Sequence, residues 1–304
     1  MLYEIKKKKL LRDGILSLKA AVSGSNVYLP AMVSKFVFLC GANKSDGTIS
    51  ERRKALIGFS KSHLEYAQFF LAERVFSTLQ DEGHKENILD VEHEITQFAD
   101  HIIIVLESPS SYTELGAFSH NDLRKKLIVI NDDKFKAAKS FINLGPIQAI
   151  EEAAGKNKII HYKMSPDGVD HLDAIGDTFL GIFNLLKDPI KTKRSPIDLV
   201  SCNPSQKFTK ISVMFVHDLV YFTGPITYKE LIEILKIIFG DGDFKLRQHL
   251  AILSAFASIE RDGNGLFRSR LGKTYYYYRF DSHDLMAIFR NYILKGYPER
   301  LYAH

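Results

Sequence analysis

Two carboxylates, Glu107 and Glu114, flank a crest of small polar residues in the stretch Phe98 to Ser119, FADHIIIVLESPSSYTELGAFS. The branched apolar run Ile102 to Leu106 is short enough for a strand and apolar enough to be buried on both faces of a parallel sheet. Glu107 to Ser111 cannot continue that strand, and the pattern predicts a helix opening at Thr113 with Glu114 in its first turn. In an open α/β sheet ligands bind outside the carboxyl ends of the strands, so Glu114 is expected to face a crevice. The free N–H groups of a helix start would favour its charged form. A carboxylate so presented can act as a nucleophile or as a counter-charge to a sugar cation. Glu107, at the strand end itself, has three readings: a helper acid, a holder of the 108–112 loop, or an acceptor for ribose hydroxyls. Ser108, Ser110 and Ser111 offer hydroxyls and N–H groups to a phosphate or ribose, each with a plain loop as the alternative.

Further strands must stand beside this one. Phe36 to Cys40 (FVFLC) reads as the first, with Gly41 allowing a sharp exit. Ser50 caps a helix over 51–62. That corner could hold phosphate, yet it lacks both GxGxxG and GxxxxGK[ST], which disfavours Rossmann and P-loop sites. Arg53 or Arg52 could reach a ligand phosphate from the first helical turn, or simply face solvent. Tyr66 to Leu71 is a second strand, with Glu73 beyond it as a ribose acceptor or a partner for Arg74 or Arg53. Ile88, Val91, Ile95 and Phe98 share one helix face, with Glu92 beside it. Leu127 to Ile130 and Ile159 to Tyr162 complete about five strands, and helices are expected over 147–154 and 169–186. The predicted architecture is α/β, a doubly wound and mostly parallel sheet. Asp188 to Pro196, DPIKTKRSP, has the composition of a linker, which places domains at 1–188, including a helix over 3–22, and at 189–304.

Composition limits the function classes. The 304 residues suit two soluble domains. No apolar run approaches the ~18 residues a membrane span requires, and MLYEIKKKKLL lacks a signal-peptide core, so a cytoplasmic protein without membrane contact is expected. Two distant cysteines, Cys40 and Cys202, support neither a disulfide framework nor a structural zinc site. Residues 189–304 carry 17 Lys and Arg against 11 Asp and Glu, leaving 24 against 25 for residues 1–188. The basic surplus therefore lies in the C-terminal third, as expected of a nucleic-acid contact.

That third reads as three helices, over 208–222, 228–239 and 244–259, followed by a hairpin at the DGNG turn Asp262 to Gly265 and a closing helix over 283–295. Three helices and a basic hairpin predict a winged helix-turn-helix. Lys245, Arg247 and Gln248 on the third helix, with Arg268, Arg270 and Lys273 on the wing, are the candidate contacts to nucleic acid or to a protein partner. Tyr275 to Tyr278 alternate faces, so half of them belong to a core.

The strand followed by ES, Pro, small residues, an aromatic, Thr and ELGAFS resembles the nucleoside deoxyribosyltransferase-like superfamily, in particular the toxin effectors carried beside bacterial retron reverse transcriptases. FLCG at Phe38 to Gly41, Arg53, AERVF at Ala72 to Phe76 and KSFINLGP at Lys139 to Pro146 recur in the same order. The resemblance covers about 36–146. It implies that Glu114 attacks the anomeric carbon of an N-glycosidic bond and that Glu92 contacts the leaving base. It adds Cys40 and Gly41 to Arg53, Glu73 and the serines as the substrate-binding set. It also implies a partner, the reverse transcriptase with its branched RNA–DNA product, and leaves assembly into homo-oligomers or filaments open. NAD would be substrate rather than cofactor, because its cationic nicotinamide leaves as a neutral molecule without a general acid. Exchange or hydrolysis of free deoxynucleotides, and a non-catalytic nucleotide-sensing DNA-binding regulator, are the alternatives.

Overall fold

The computed structural model describes residues 4–81, 95, 96, 98–166, 173–206 and 208–302. The chain divides into two compact units, one of Val33–Glu73 and Glu86–Ile190, the other of Met1–Met32, Arg74–Lys85 and Lys191–His304. Drawn this way, the N-terminal helix Lys9–Ser23 groups with the C-terminal unit and not with the sheet.

The sheet unit is built on five parallel strands: β1 Lys35–Cys40, β2 Ala67–Phe70, β3 His101–Val105, β4 Leu127–Asp132 and β5 Ile159–Tyr162, in the order β2-β1-β3-β4-β5. β1, β3 and β4 are almost continuously apolar because both faces are covered. Alternate side chains serve opposite faces. Val37, Leu39, Ile103, Val105, Ile128 and Ile130 pack with Leu56 of α1 Glu51–His63 and with Ile182 and Leu186 of α5 Phe179–Leu186. Phe59 and Phe179 stack at 4.4 Å on that side. On the other side Phe38 meets Phe118 of α3 Pro109–Phe118, and Phe36 stacks on Phe98 at 5.0 Å. Helix α4 Gln148–Ala154 leads from β4 to β5, while α2 Ala72–Asp81, which follows β2, belongs from Arg74 onward to the other unit. Of the helix expected over 169–186, residues 169–172 lie outside the described residues; in the remainder Ala174, at φ −93° and ψ 32°, is followed by a 3₁₀ turn at Ile175–Thr178, and only then does α5 begin.

In the other unit, α6 Lys210–Thr223, β6 Ile226–Thr227, α7 Tyr228–Phe239, α8 Leu246–Ala255, β7 Ile259–Arg261, β8 Leu266–Ser269 and α9 Ser282–Gly296 follow in sequence. β8 lies between β7 and β6, antiparallel to both. Asp262 sets the hairpin turn by accepting from the N–H groups of Asn264 and Leu266, both at 2.9 Å, while Gly265 takes φ +78°. The helix expected over 244–259 is shorter than its apolar period suggests. Lys245 enters it in a left-handed conformation, and Ala257, at φ 54°, turns the chain into β7. The stretch expected to be a linker is tied down within this unit: Thr192 N–H donates to Ala31 O, Leu29 N–H to Ser195 O and Ile197 N–H to Val27 O.

Candidate active site

Helix α3 begins four residues earlier than expected. Ser108 is its N-cap, Pro109 occupies N1, and Ser108 and Ser111 form a reciprocal capping box. Ser111 is fully buried and donates to Ser108 O at 2.7 Å, so its hydroxyl belongs to the cap. Ser108 Oγ and Ser110 Oγ lie 2.8 Å apart at the exposed rim. Glu114 therefore sits in the second turn, where the favourable field of the helix start has largely faded. It is half-buried, with Oε2 shut off from solvent. Two positions along a helix point to nearly opposite sides, so Glu114 and Tyr112 flank the buried face of Ser111 and Leu115 on either side.

Behind the helix start, Glu107 is a buried tie point. Its side chain is 2% exposed, and it accepts from Ala42 N–H at 3.1 Å, Ser50 Oγ at 2.6 Å and Arg52 Nη1 at 3.0 Å. The segment it holds is the β1–α1 connection rather than the 108–112 loop. Arg52, expected either to reach a ligand phosphate or to face solvent, is 6% exposed and spans Glu107 and Asp173, with Nη2 2.7 Å from Asp173 Oδ2. Burial alone would lower its pKa; the hydrogen bonds to Glu107 and Asp173 overcome this and raise it above the ordinary guanidinium value. Arg53 is also buried and grips Glu73 through two bonds, at 2.6 and 2.9 Å, besides donating to Leu39 O and Asn43 Oδ1. Neither arginine projects into solvent, because carboxylates from remote segments meet both. Burial alone would raise the Glu73 carboxyl, but the Arg53 hydrogen bonds and charge hold it below the usual range. Cys40 is buried at the end of β1. Gly41 is a close-approach glycine: a Cβ there would lie 2.9 Å from Arg53 Cδ and 3.0 Å from Glu107 Oε1.

On the Tyr112 side of α3 the carboxyl ends of the strands open into a cavity of about 480 Å³. Glu107, Ser108 and Tyr112 form one wall, and Asp132, Lys134, Phe135 and Met164 the other. Lys134 Nζ lies 2.7 Å from Asp132 Oδ2; burial alone would raise the Asp132 carboxyl, and its bonds to Lys134 bring it below the usual range. Burial pushes the Tyr112 hydroxyl up. Sequence reasoning missed this second wall: two aspartates after a strand mark its end, but nothing in the local pattern folds Phe135 and Met164 over it. Glu114 does not line this cavity. Glu92 lies outside the described residues. Among the described residues no cluster of three or more His, Cys, Asp or Glu could hold a metal ion.

In the other unit the candidate contacts separate. Lys245, Arg247 and Lys273 are exposed, the guanidinium of Arg247 lying 5.8 Å from the Tyr228 ring centre. Arg270 pairs with Glu260 at 2.7 Å. Gln248 is 6% exposed, on the buried face of α8, and Arg268 turns inward to donate to Arg300 O. Both were expected at the surface. Helical phase in the one case and a carbonyl acceptor from a distant segment in the other bring them in.

No helix among the described residues is long and apolar enough to cross a membrane. Over 289 residues, covering 92% of this chain and 91% of the relative, the sequence is 42% identical to an Escherichia coli protein named "Retron Ec73 putative ribosyltransferase/DNA-binding protein". A second Escherichia coli protein, "Retron Ec86 putative ribosyltransferase/DNA-binding protein", is 34% identical over 145 residues, covering 47% of this chain and 44% of the relative. The model of the STM3845 retron effector protein family matches residues 49–261, more than two thirds of the chain, from just before α1 to the end of β7. The chain belongs to this retron effector family.

Proposed function

We propose that this retron effector cleaves the N-glycosidic bond of a nucleotide, with NAD as the substrate and Glu114 as the group that meets the anomeric carbon. The reading is supported by one observation above others: Glu114 stands on the helix that leaves the central strand β3, one of its oxygens shielded from water, at the sheet end where α/β folds bind ligands. The ribosyltransferase in the names of the relatives, and the resemblance of TELGAFS to the nucleoside deoxyribosyltransferase-like superfamily, point the same way. In the reaction the C1′–N bond breaks and its electron pair stays with nicotinamide, which leaves neutral. Glu114 either bonds to C1′ or faces its positive charge; water then supplies the oxygen at C1′ and loses a proton to solvent, and any Glu114–C1′ bond breaks with its electron pair returning to the carboxylate. Glu107 and Arg53 act in this scheme as positioning residues, because both Glu107 oxygens accept from Ala42, Ser50 or Arg52 and both terminal guanidinium nitrogens of Arg53 donate to Glu73. The C-terminal unit, a helix–strand–helix–helix–hairpin arrangement, is proposed to be a winged helix through which the reverse transcriptase and its single-stranded DNA restrain the toxin.

The test is nicotinamide release from NAD by purified protein, wild type beside Glu114→Gln, with deoxynucleosides and deoxynucleotides as parallel substrates. Loss of release in a folded Glu114→Gln variant is expected. Equal release from both proteins overturns the role of Glu114, base release from deoxynucleotides alone overturns NAD as the substrate, and no release from any of them favours a nucleotide-sensing regulator.

A further inference from the structure

A second cleft, wholly within the C-terminal unit, is built for a different ligand. Val27–Tyr28 pairs antiparallel with Tyr277–Tyr278, and Tyr28 stands directly opposite Tyr277. Directly opposed residues project from the same face of such a ribbon, as do residues two apart along a strand. Tyr28, Tyr277 and Arg279 therefore share one face, while Tyr276 and Tyr278 point the other way, where the Tyr278 hydroxyl donates to Asp218 at 2.9 Å. The guanidinium of Arg279 lies 4.6 Å from the centre of the Tyr28 ring. Tyr277 remains 60% exposed, and among the described residues no cation is stacked over it in the same way.

The rim comes from 192–197. Thr192 Oγ1 donates to Pro30 O at 2.6 Å and accepts from Arg194 N–H at 3.2 Å, which fixes Arg194 in a left-handed turn with its side chain exposed. Together these segments enclose about 450 Å³. The side chains available for contact are two tyrosines and two arginines beside Leu29 and Pro30, and no carboxylate lines the cleft among the described residues. Apolar grooves that dock helices lack this pairing, and sites for acidic peptides have no need of open aromatic faces. Aromatic platforms interleaved with guanidinium groups are what unpaired bases on a phosphate backbone require.

We infer that the cleft formed by Tyr28, Arg194, Tyr277 and Arg279 binds single-stranded nucleic acid, a base stacking on Tyr277 while the arginines meet flanking phosphates. The site is separate from the hairpin and α8 residues expected to face nucleic acid, and it does not depend on the glycosidic reading. Duplex DNA is a poor occupant, because its bases are already stacked on one another.

The experiment is a fluorescence-anisotropy titration of the full chain with dye-labelled oligothymidylate and with a blunt duplex of the same length. Tyr277→Ala is expected to weaken single-strand binding about tenfold or more, while Tyr277→Phe, which keeps the ring, binds like wild type. Changing both Arg194 and Arg279 to Gln is expected to flatten the salt dependence by about 1.4 in the log–log slope, two phosphates' worth for a single strand. Arg194→Gln alone, at an exposed position away from the Tyr28 ring, guards against a folding defect in the double variant and is expected to give half that change. Lys61→Gln, at an exposed position of α1 in the sheet unit, serves as comparator and should leave single-strand affinity nearly unchanged. Single-strand binding that is indifferent to Tyr277→Ala, or a Tyr277→Ala loss equal on duplex and single strand, overturns the proposal and leaves the Arg279–Tyr28 stack as a purely internal contact.

Discussion

Replacing Arg52 by Met tests whether the crest of the sheet is held by charge. The side chain is nearly fully buried between Glu107, 2% exposed, and Asp173, 0% exposed, at 3.0 and 2.7 Å. It also donates to the carbonyl of Ser165. Methionine matches much of its volume, so the change removes the charge and the donors while leaving little void. Two buried carboxylates then lose their cation, a loss of about 3–5 kcal/mol by the usual cost of breaking a buried pair. For a domain of this size each kcal/mol lowers the unfolding temperature by about 2–4 °C, so a fall of about 6–20 °C is expected. Calorimetry or thermal circular dichroism reads it directly. Adding Asp173→Asn to Arg52→Met removes one stranded carboxylate and should recover part of the loss, because the two sites share one network. A single variant that melts within about 2 °C of wild type, or a double variant that melts lower than the single by the full Asp173→Asn effect, would refute the view that Arg52 is the cation on which these carboxylates rely.

Two further outcomes follow from the same physical picture. Gly41→Ala places a methyl 2.9 Å from Arg53 Cδ and 3.0 Å from Glu107 Oε1; about 1–3 kcal/mol of destabilisation is expected in urea unfolding, with an unchanged midpoint as the contrary result. His249 is buried and His101 half-buried, and the loss of water around each ring brings it down to about pKa 4. The folded state holds them neutral, whereas the unfolded chain takes up protons from about pH 6.5 downward, so their contribution is complete above about pH 6.5 and is lost as the pH falls towards about 4, up to about 3 kcal/mol for each. Unfolding midpoints should fall between about pH 7 and about pH 4.5, and a flat profile in that window would show that these rings titrate normally.

Most of the sheet could be read in the chain. Runs such as FVFLC and HIIIVL leave few options but a strand covered on both sides, and Ser50 announced its helix correctly, accepting from Arg53 N–H at 3.2 Å. The start of α3 was legible too, since Ser-Pro with Ser three positions on is a capping signature; reading 108–112 as loop overlooked it and placed Glu114 too close to the helix start. What local pattern does not contain is partnership at a distance. Glu107 meets Ala42, Ser50 and Arg52 across more than fifty residues of chain, and Arg52 meets Asp173 across 121. Without those partners two arginines near a strand end look like ligand contacts or solvent groups, when burial makes them part of the frame. The wall made by Asp132, Phe135 and Met164 was hidden for the same reason, because loops from different strands converge on it.

Asp218 receives the N–H groups of Tyr275 and Tyr276 and the hydroxyl of Tyr278, and its neighbour His217 reaches Ser269 at 2.9 Å. A ribbon moored so firmly on its inner side has little freedom to slide or flip by one residue, since either motion would strip a buried carboxyl of its donors. The backbone that carries the outward Tyr277 is thus fixed before anything touches it. An aromatic on such a backbone has only its side-chain rotations to give up on contact, and that lowers the cost of binding.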